Sequence, residues 1–107
     1  MEISVVIPCL NEETNIKYCI DKCFNSFNKL SIEGEVIVVD NNCTDNTAKI
    51  AEQNGAKVVK CIKHGYGFAL RSGFDTAQGR YIVMGDGDNT YDFNEIPKLL
   101  KTLKETD

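Results

Sequence analysis

The sequence lacks a long apolar run, a secretory leader and an excess of basic residues. No stretch approaches 18 consecutive apolar residues, and the opening residues Met1 to Ser4 have neither the cationic region nor the apolar segment of a secretory signal. With 12 Lys and Arg against 16 Asp and Glu, the formal net charge is −4, so no basic stripe is available for the phosphates of a duplex. We therefore expect a cytoplasmic protein whose main partner is not nucleic acid.

The sequence also lacks a Cys-x-x-Cys pair. Its five cysteines are an odd number, which argues against a disulfide framework and against a structural zinc site. No repeat, low-complexity tract or Pro/Gly/Ser-rich linker interrupts the 107 residues. A chain of this length can bury about 60 to 70% of the surface that its unfolded form exposes. We therefore expect residues 1–107 to form one domain around a single core.

Short apolar runs alternate with segments of helical periodicity. Residues 3–7 and 36–39 are β-branched runs typical of parallel strands buried on both faces, and residues 57–61 and 81–84 are weaker examples. The alternation predicts right-handed crossovers and an α/β fold. We expect a Rossmann-like, three-layer half with a mainly parallel sheet and helices on both faces.

Four helices are predicted from apolar residues that recur at three- and four-residue steps. The first carries an apolar stripe from Ile16 to Phe27, with Asn11 as its N-cap, and the second begins near Thr44 or Asp45. The third spans residues 67–78, and its predicted inner face is Leu70, Phe74 and Ala77. The fourth begins near residue 94 and continues almost to the last residue, so we expect the chain to be the N-terminal part of a longer protein.

Polar side chains and glycines gather after the four predicted strands. The segments 8–12, 40–45, 62–67 and 85–89 are dense in carboxylates, amides and glycines, whereas the loops at the other edge are short or bland. In open parallel sheets, ligands bind beyond the carboxyl ends of the strands. The sequence therefore predicts a ligand site at this edge.

Asp86 and Asp88 directly follow the fourth predicted strand, separated by one glycine. Two hard oxygen donors favour Mg²⁺ or Mn²⁺, and such a cation keeps positions open for water and phosphate oxygens. We expect a diphosphate to supply the missing ligands. From this segment alone, a turn that merely shapes the loop and caps a helix is an equal alternative.

Three further features are candidates at the same edge. Asp40 ends the most hydrophobic strand, where a carboxylate needs a partner in the loop or a ligand. The segment Gly65-Tyr66-Gly67 precedes a helix, as in loops that hold phosphate, and Lys63 and Arg71 flank it with charges suited to a diphosphate. The commoner alternative for Lys63 and Arg71 is that they are solvated surface charges. The single histidine, His64, is interpreted as a loop residue.

Three segments, taken in order, resemble the inverting glycosyltransferase family 2 with a GT-A fold. They are VVIPCLNEE at residues 5–13, VVDNNCTDNT at residues 38–47 and DGD at residues 86–88. Residues 63–74 and 88–92 look like the branch of that family that includes dolichyl-phosphate mannosyltransferase and bacterial polyprenyl-phosphate sugar transferases.

The resemblance implies a donor site for a nucleotide diphosphate sugar and a polyprenyl phosphate acceptor at the cytoplasmic side of a membrane. The residues it assigns to the nucleoside are Pro8, Leu10 and Glu12. It places Asp40 near the base and Asp86 and Asp88 at a Mg²⁺ or Mn²⁺ ion. We add Asn41, Lys63, Gly67 and Arg71 as substrate-binding candidates.

The second motif departs from the family pattern V-D-D-G-S-x-D. Asn41 and Asn42 replace a carboxylate and a glycine, and an amide donates as well as accepts hydrogen bonds. The base contacts are therefore expected to differ. Family members also continue into an acceptor-binding half that usually carries the catalytic base, so we expect that base outside these residues. A homodimer of this part, formed through an open hydrophobic edge, is a further hypothesis.

Other classes of protein remain as alternatives. A nucleotidyltransferase also combines a Rossmann-like half with carboxylate-bound Mg²⁺, but it usually opens with a Gly-rich basic loop, where this sequence has Pro8 to Glu12. A receiver-type signalling module would end its first strand in an acidic pair. An interaction domain without a ligand would respond neither to nucleotides nor to Mn²⁺.

Overall fold

A computed structural model describes residues 1–106 and shows four strands that alternate with helices. In chain order the elements are β1 (Ile3–Cys9), α1 (Ile16–Leu30), β2 (Gly34–Asp40), α2 (Thr47–Gln53), β3 (Lys57–Lys60), α3 (Tyr66–Thr76), β4 (Tyr81–Met84), a 3₁₀ turn (Phe93–Glu95) and α4 (Ile96–Thr106). Over the described range, none of the helices has the length and apolar character needed to cross a membrane.

The four strands form one parallel sheet in the order β3-β2-β1-β4. Strand β1 is central, because its Ile3 pairs with Gly34 of β2 on one side and with Tyr81 of β4 on the other. All seven β1 residues are buried, as expected of a β-branched run covered on both faces. The predicted α/β fold with a parallel sheet is confirmed, and the carboxyl ends of all strands lie at one edge.

Helices cover both faces of the sheet. On one face Val5 and Ile7 of β1 pack in the larger core, which also contains the buried stripe of α1. On the other face Val6, Ile37 and Val39 form a smaller core with Ala69 of α3. The predicted three-layer arrangement is therefore present, and the α1 stripe faces inward as the periodicity indicated.

The prediction that Asn11 caps the first helix is wrong. Helix α1 begins at Ile16 with Asn15 in the N-cap position, and Asn11 lies in the left-handed region at φ 57°. Its side-chain oxygen accepts hydrogen bonds from the backbone N–H groups of Thr44 (2.8 Å) and Asp45 (3.3 Å). The Asn11 side chain thus bonds to a loop that is distant in sequence and does not cap α1. In this way Asn11 joins the β1–α1 and β2–α2 loops.

The predicted inner face of the third helix is confirmed only for Ala77, which packs against the smaller core. The buried residues of the helix are Ala69 and Gly73, whereas Phe74 is 41% exposed. The cause is the close approach of α3 to the sheet, where a Cβ atom on Gly73 would lie 2.3 Å from Cγ1 of Val6. Because only small residues fit this contact, the larger apolar residues of α3 lie beside it.

The edge strand β4 has an open apolar surface. Ile82 and Met84 are 43% and 48% exposed. This is the type of edge on which the homodimer hypothesis depends, and association itself stays a prediction.

Substituting Gly73 by alanine is expected to destabilise the fold by about 1 to 3 kcal/mol, because the added methyl group overlaps Val6 in a closely packed contact. The matched control is Gly67→Ala in the same helix, since nothing lies within 4 Å of a Cβ atom there. That control should leave the free energy of unfolding unchanged or raise it by up to ~1 kcal/mol. Urea denaturation of the two variants measures the difference, and equal stabilities would contradict the packing described.

Candidate functional site

A pocket of about 260 Å³ opens at the carboxyl edge of the sheet, between the end of β1 and the start of α3. Its lining residues are Pro8, Cys9, Leu10, Asn41, His64, Gly65, Tyr66 and Ala69. The pocket thus combines apolar surface with a few amide, imidazole and hydroxyl groups, which is the usual composition of a small-molecule site. Of the residues predicted from the sequence, it contains Pro8, Leu10 and Asn41.

The Asn41 side chain fixes one wall of this pocket. Its amide nitrogen donates to the backbone carbonyl of Lys63 (2.7 Å) and more weakly to that of Cys61 (3.4 Å). Its amide oxygen accepts from the backbone N–H of Gly65 (3.1 Å). A carboxylate could take only the last of these bonds, since it has no N–H to donate. Asn41 stands where the family motif has an aspartate, and its amide can therefore donate to the carbonyl groups of the loop that it faces.

The neighbouring residues of the second motif shape the loop rather than line the pocket. Asp40 is 9% exposed, and its carboxylate accepts from the backbone N–H of Cys43 (2.7 Å). Asn42 lies at φ 70°, and its amide donates to the carbonyl of Ile62 (3.1 Å). The base contact predicted for Asp40 stays a prediction, because its carboxylate here serves the β2–α2 turn.

Glu12 lies in the middle of the β1–α1 loop, outside the pocket lining. Its backbone N–H donates to the hydroxyl of Thr47 (2.9 Å). The carboxylate of Asp45 accepts from the backbone N–H of Thr47 (3.0 Å), from the Thr47 hydroxyl, and from the backbone N–H of Glu13 (3.2 Å). Asp45 therefore both supports the start of α2 and holds the β1–α1 loop beside it.

The segment from Asp86 to Asp88 forms a turn directly over the end of β1. Gly87 is buried, and a Cβ atom there would lie 2.7 Å from Sγ of Cys9. On the outer side, both Asp86 and Asp88 are exposed. Only glycine fits this contact, so the turn holds its two carboxylates at a fixed position beyond β1.

Asp88 is held in its charged form by Thr90. Its carboxylate accepts from the Thr90 hydroxyl (2.6 Å) and from the Thr90 backbone N–H (3.0 Å). These hydrogen bonds, first the one from the hydroxyl, lower the pKa of Asp88. Within residues 1–106, no group of three or more His, Cys, Asp or Glu side chains could hold a metal. A cation held by Asp86 and Asp88 would therefore need ligand oxygens and water to complete its shell.

Tyr66 connects the pocket to this turn. It lines the pocket, and its hydroxyl is near enough to the Asp86 carboxylate to be affected by that charge. Partial desolvation, followed by the negative charge of Asp86 and hydrogen bonding to its carboxylate, raises the pKa of Tyr66. The sequence did not assign a role to Tyr66. This residue lies in the Gly65-Tyr66-Gly67 segment, which was compared with loops that hold phosphate. Its contact with Asp86 is 20 positions away in sequence, so only the fold could show it.

The two predicted cations lie elsewhere. The Lys63 ammonium is 5.1 Å from the centre of the Phe68 ring, and Arg71 lines the same shallow depression beside Phe68. Neither residue lines the pocket. Gly67 is exposed at the start of α3. The substrate contacts proposed for Lys63, Gly67 and Arg71 stay predictions.

Comparison with known proteins finds one family that matches almost the whole chain. The family described as "Glycosyl transferase family 2" matches residues 4–107. The low-salt glycan biosynthesis hexosyltransferase of Haloferax volcanii is 46% identical over 105 residues, covering 98% of this chain and 25% of that protein. The undecaprenyl-phosphate 4-deoxy-4-formamido-L-arabinose transferase of Proteus mirabilis is 32% identical, covering 97% of this chain and 34% of that protein.

A solved structure has the same fold. The glucosyl-3-phosphoglycerate synthase of Mycobacterium tuberculosis, crystallised with Mn²⁺, UDP-glucose and phosphoglyceric acid, superimposes with a TM-score of 0.82 at 32% identity. The match covers 95% of this chain and 39% of that one. The chain therefore spans less than half the length of each of these three proteins, and its whole length corresponds to one part of them.

Replacing Asn41 by aspartate is expected to destabilise the protein by about 1 to 3 kcal/mol, because the carbonyl groups of Cys61 and Lys63 lose their donor and face a negative charge. The control is Asn94→Asp, which makes the same change at an exposed position and should shift stability by less than about 0.5 kcal/mol. Thermal and urea unfolding test the pair. An Asn41→Asp variant as stable as the control would show that the amide does not hold the loop.

Proposed function

The chain belongs to glycosyl transferase family 2, and from this premise we propose that it binds a nucleotide diphosphate sugar as the donor part of an inverting, metal-dependent glycosyltransferase. The observation that carries the proposal is Tyr66, which belongs to the pocket wall and whose hydroxyl is near enough to Asp86 to be affected by its charge. One ligand that fills the pocket and reaches the Asp86 carboxylate must pass Tyr66. A nucleotide diphosphate has that shape, with a flat base at one end and an anionic diphosphate at the other.

The pocket suits the nucleoside part of such a donor. Its volume of about 260 Å³ lies below the roughly 300–1,000 Å³ of sites that enclose a whole drug-sized ligand. It therefore accommodates one end of the ligand, against the apolar surfaces of Pro8 and Leu10. Asn41 and Asp40 keep the surrounding loops in place. The pocket walls that these loops form then select the base.

Asp86 and Asp88 are the residues that would hold Mg²⁺ or Mn²⁺. Both are exposed, Asp88 is held ionised by Thr90, and the pair leaves open positions for diphosphate oxygens. The mycobacterial structure contains Mn²⁺ together with UDP-glucose, which supports a divalent cation that binds with the donor. When bound, the cation supplies positive charge that stabilises the nucleotide diphosphate as it leaves.

We propose a single displacement at C1 of the sugar. An acceptor oxygen attacks C1 from the face opposite the nucleotide, a new bond from that oxygen to C1 forms, and the C1–O bond to the diphosphate breaks. The departing nucleotide diphosphate keeps the electron pair, and the configuration at C1 inverts. Pocket residues on one side and the Asp86–Asp88 turn on the other hold the donor in the orientation that this attack requires.

We further propose a polyprenyl phosphate as the acceptor, on the cytoplasmic side of a membrane. The resemblance to the Proteus mirabilis transferase, whose name specifies undecaprenyl phosphate, supports this choice. A phosphate oxygen is already ionised at neutral pH, so its attack needs no protein base. A hydroxyl acceptor would instead need a general base, which is expected outside these residues.

Nucleotide binding should stabilise the chain against heat in a metal-dependent way. At about 100 times the dissociation constant, UDP or GDP with Mn²⁺ is expected to add roughly 2.7 kcal/mol. The double variant Asp86→Asn with Asp88→Asn should lose this gain, since it no longer holds the cation that neutralises the diphosphate. Thermal unfolding with each nucleotide, with and without Mn²⁺, is the measurement.

The matched control for that experiment is Asp21→Asn with Glu52→Gln, which removes two carboxylates from α1 and α2, away from the sheet edge. It should keep the full metal-dependent gain. If the Asp86 and Asp88 variant kept the gain as well, the turn would not be the metal site. A gain that is independent of Mn²⁺ would contradict metal dependence while leaving donor binding intact.

A further inference from the structure

A basic and apolar patch lies beside the donor pocket, around the β3–α3 loop. Its members are Lys60, Ile62, Lys63, Phe68 and Arg71, and we refer to them as the β3–α3 patch. Ile62 is 78% exposed and Phe68 is 49% exposed. An exposed apolar patch that is rimmed by polar side chains marks an interaction site.

The patch is a positive region on an acidic chain. Its three cations share a shallow depression with a single carboxylate, Asp75, whereas the whole chain has a formal net charge of −4. Over residues 1–106, no ion pair engages Lys60, Lys63 or Arg71. Their charges are therefore free to attract an anionic partner over roughly a Debye length.

Its side chains also combine in the way that suits a membrane interface. The Lys63 ammonium lies 5.1 Å from the centre of the Phe68 ring, so the lysine stem covers apolar surface while its charge stays in water. Ile62 lies in the same loop and is exposed. Apolar side chains that enter the acyl boundary, with Lys and Arg around them at the level of acidic headgroups, are the features of a peripheral membrane contact.

We propose that the β3–α3 patch binds the surface of a bilayer that contains anionic lipids. Its position gives this contact a use, because His64 and Gly65 line both the donor pocket and a second depression, next to the one that the cations share, which contains Phe68 and Arg71. The loop is thus a shared wall, and a bilayer against one side brings the pocket on the other side to the lipid surface. This use rests on the proposed function, since a polyprenyl phosphate acceptor lies in the membrane, but the binding itself does not.

Sedimentation with lipid vesicles tests the proposal on this chain. We expect binding to vesicles of phosphatidylcholine with phosphatidylglycerol, weaker binding to phosphatidylcholine alone, and a loss of binding as the salt concentration rises. Changing Lys60, Lys63 or Arg71 to Gln should lower the partition coefficient about fivefold for each cation removed. The double change Ile62→Ser and Phe68→Ser should also lower it, at unchanged charge.

Two control variants match these changes. Lys98→Gln with Lys101→Gln removes two exposed cations from α4, and Ile82→Ser with Met84→Ser removes two exposed apolar side chains from the β4 edge. Both should bind anionic vesicles like the unaltered chain. Sedimentation with neither type of vesicle, or equal losses in the patch and control variants, would overturn the proposal.

Nucleotide-dependent stabilisation, measured on the same proteins, separates this proposal from the proposed function. The Ile62→Ser and Phe68→Ser variant should keep the stabilisation by nucleotide and Mn²⁺ while losing vesicle binding. Vesicle binding without any nucleotide effect would support the patch and contradict the donor site. Cation variants that lose the nucleotide effect but keep vesicle binding would overturn the membrane role and support the diphosphate contact predicted for Lys63 and Arg71.

Discussion

Strand β1 is hydrogen-bonded to a parallel neighbour on each side and buried along all seven residues. This pairing determines where everything else in the structure lies. Because the three strands run in the same direction and in fixed register, the loops that follow β1, β2 and β4 emerge at one edge. A one-residue slip would exchange the two faces of β1, moving Val6 into the larger core and Val5 and Ile7 against α3. The positions of the pocket and of the carboxylate turn are thus consequences of one buried strand.

Side-chain amides then join these loops to one another. Asn11 holds the β2–α2 loop through the N–H groups of Thr44 and Asp45, and Asn41 holds the β3–α3 loop through three backbone groups. A network in which most partners are backbone atoms keeps the pocket walls in place before a ligand arrives, which lowers the entropic cost of binding. The unusual amides of the second motif are part of this network.

The sequence predicted those features that depend on local pattern. The β-branched runs identified the strands, the stripe from Ile16 to Phe27 identified the inner face of α1, and the polar loops identified the edge that carries the site. It failed where a contact between distant residues decided the outcome. Asn11 bonds to another loop instead of a helix end, and Gly73 rather than Phe74 packs on the sheet because of the separation between α3 and Val6. Tyr66 was missed for the same reason, since its contact with Asp86 exists only in the folded chain.

The central claim is that one ligand spans the pocket and the carboxylate turn. Nuclear magnetic resonance of the ¹⁵N-labelled chain, titrated with UDP or GDP in the presence of Mg²⁺ and then with traces of Mn²⁺, tests it most directly. The account predicts shift changes at the amides of Asn41, Gly65 and Tyr66, together with paramagnetic broadening centred on Asp86 to Asp88 that strengthens when nucleotide is present. Shift changes confined to other surfaces, or Mn²⁺ broadening that is centred away from the turn, would contradict it.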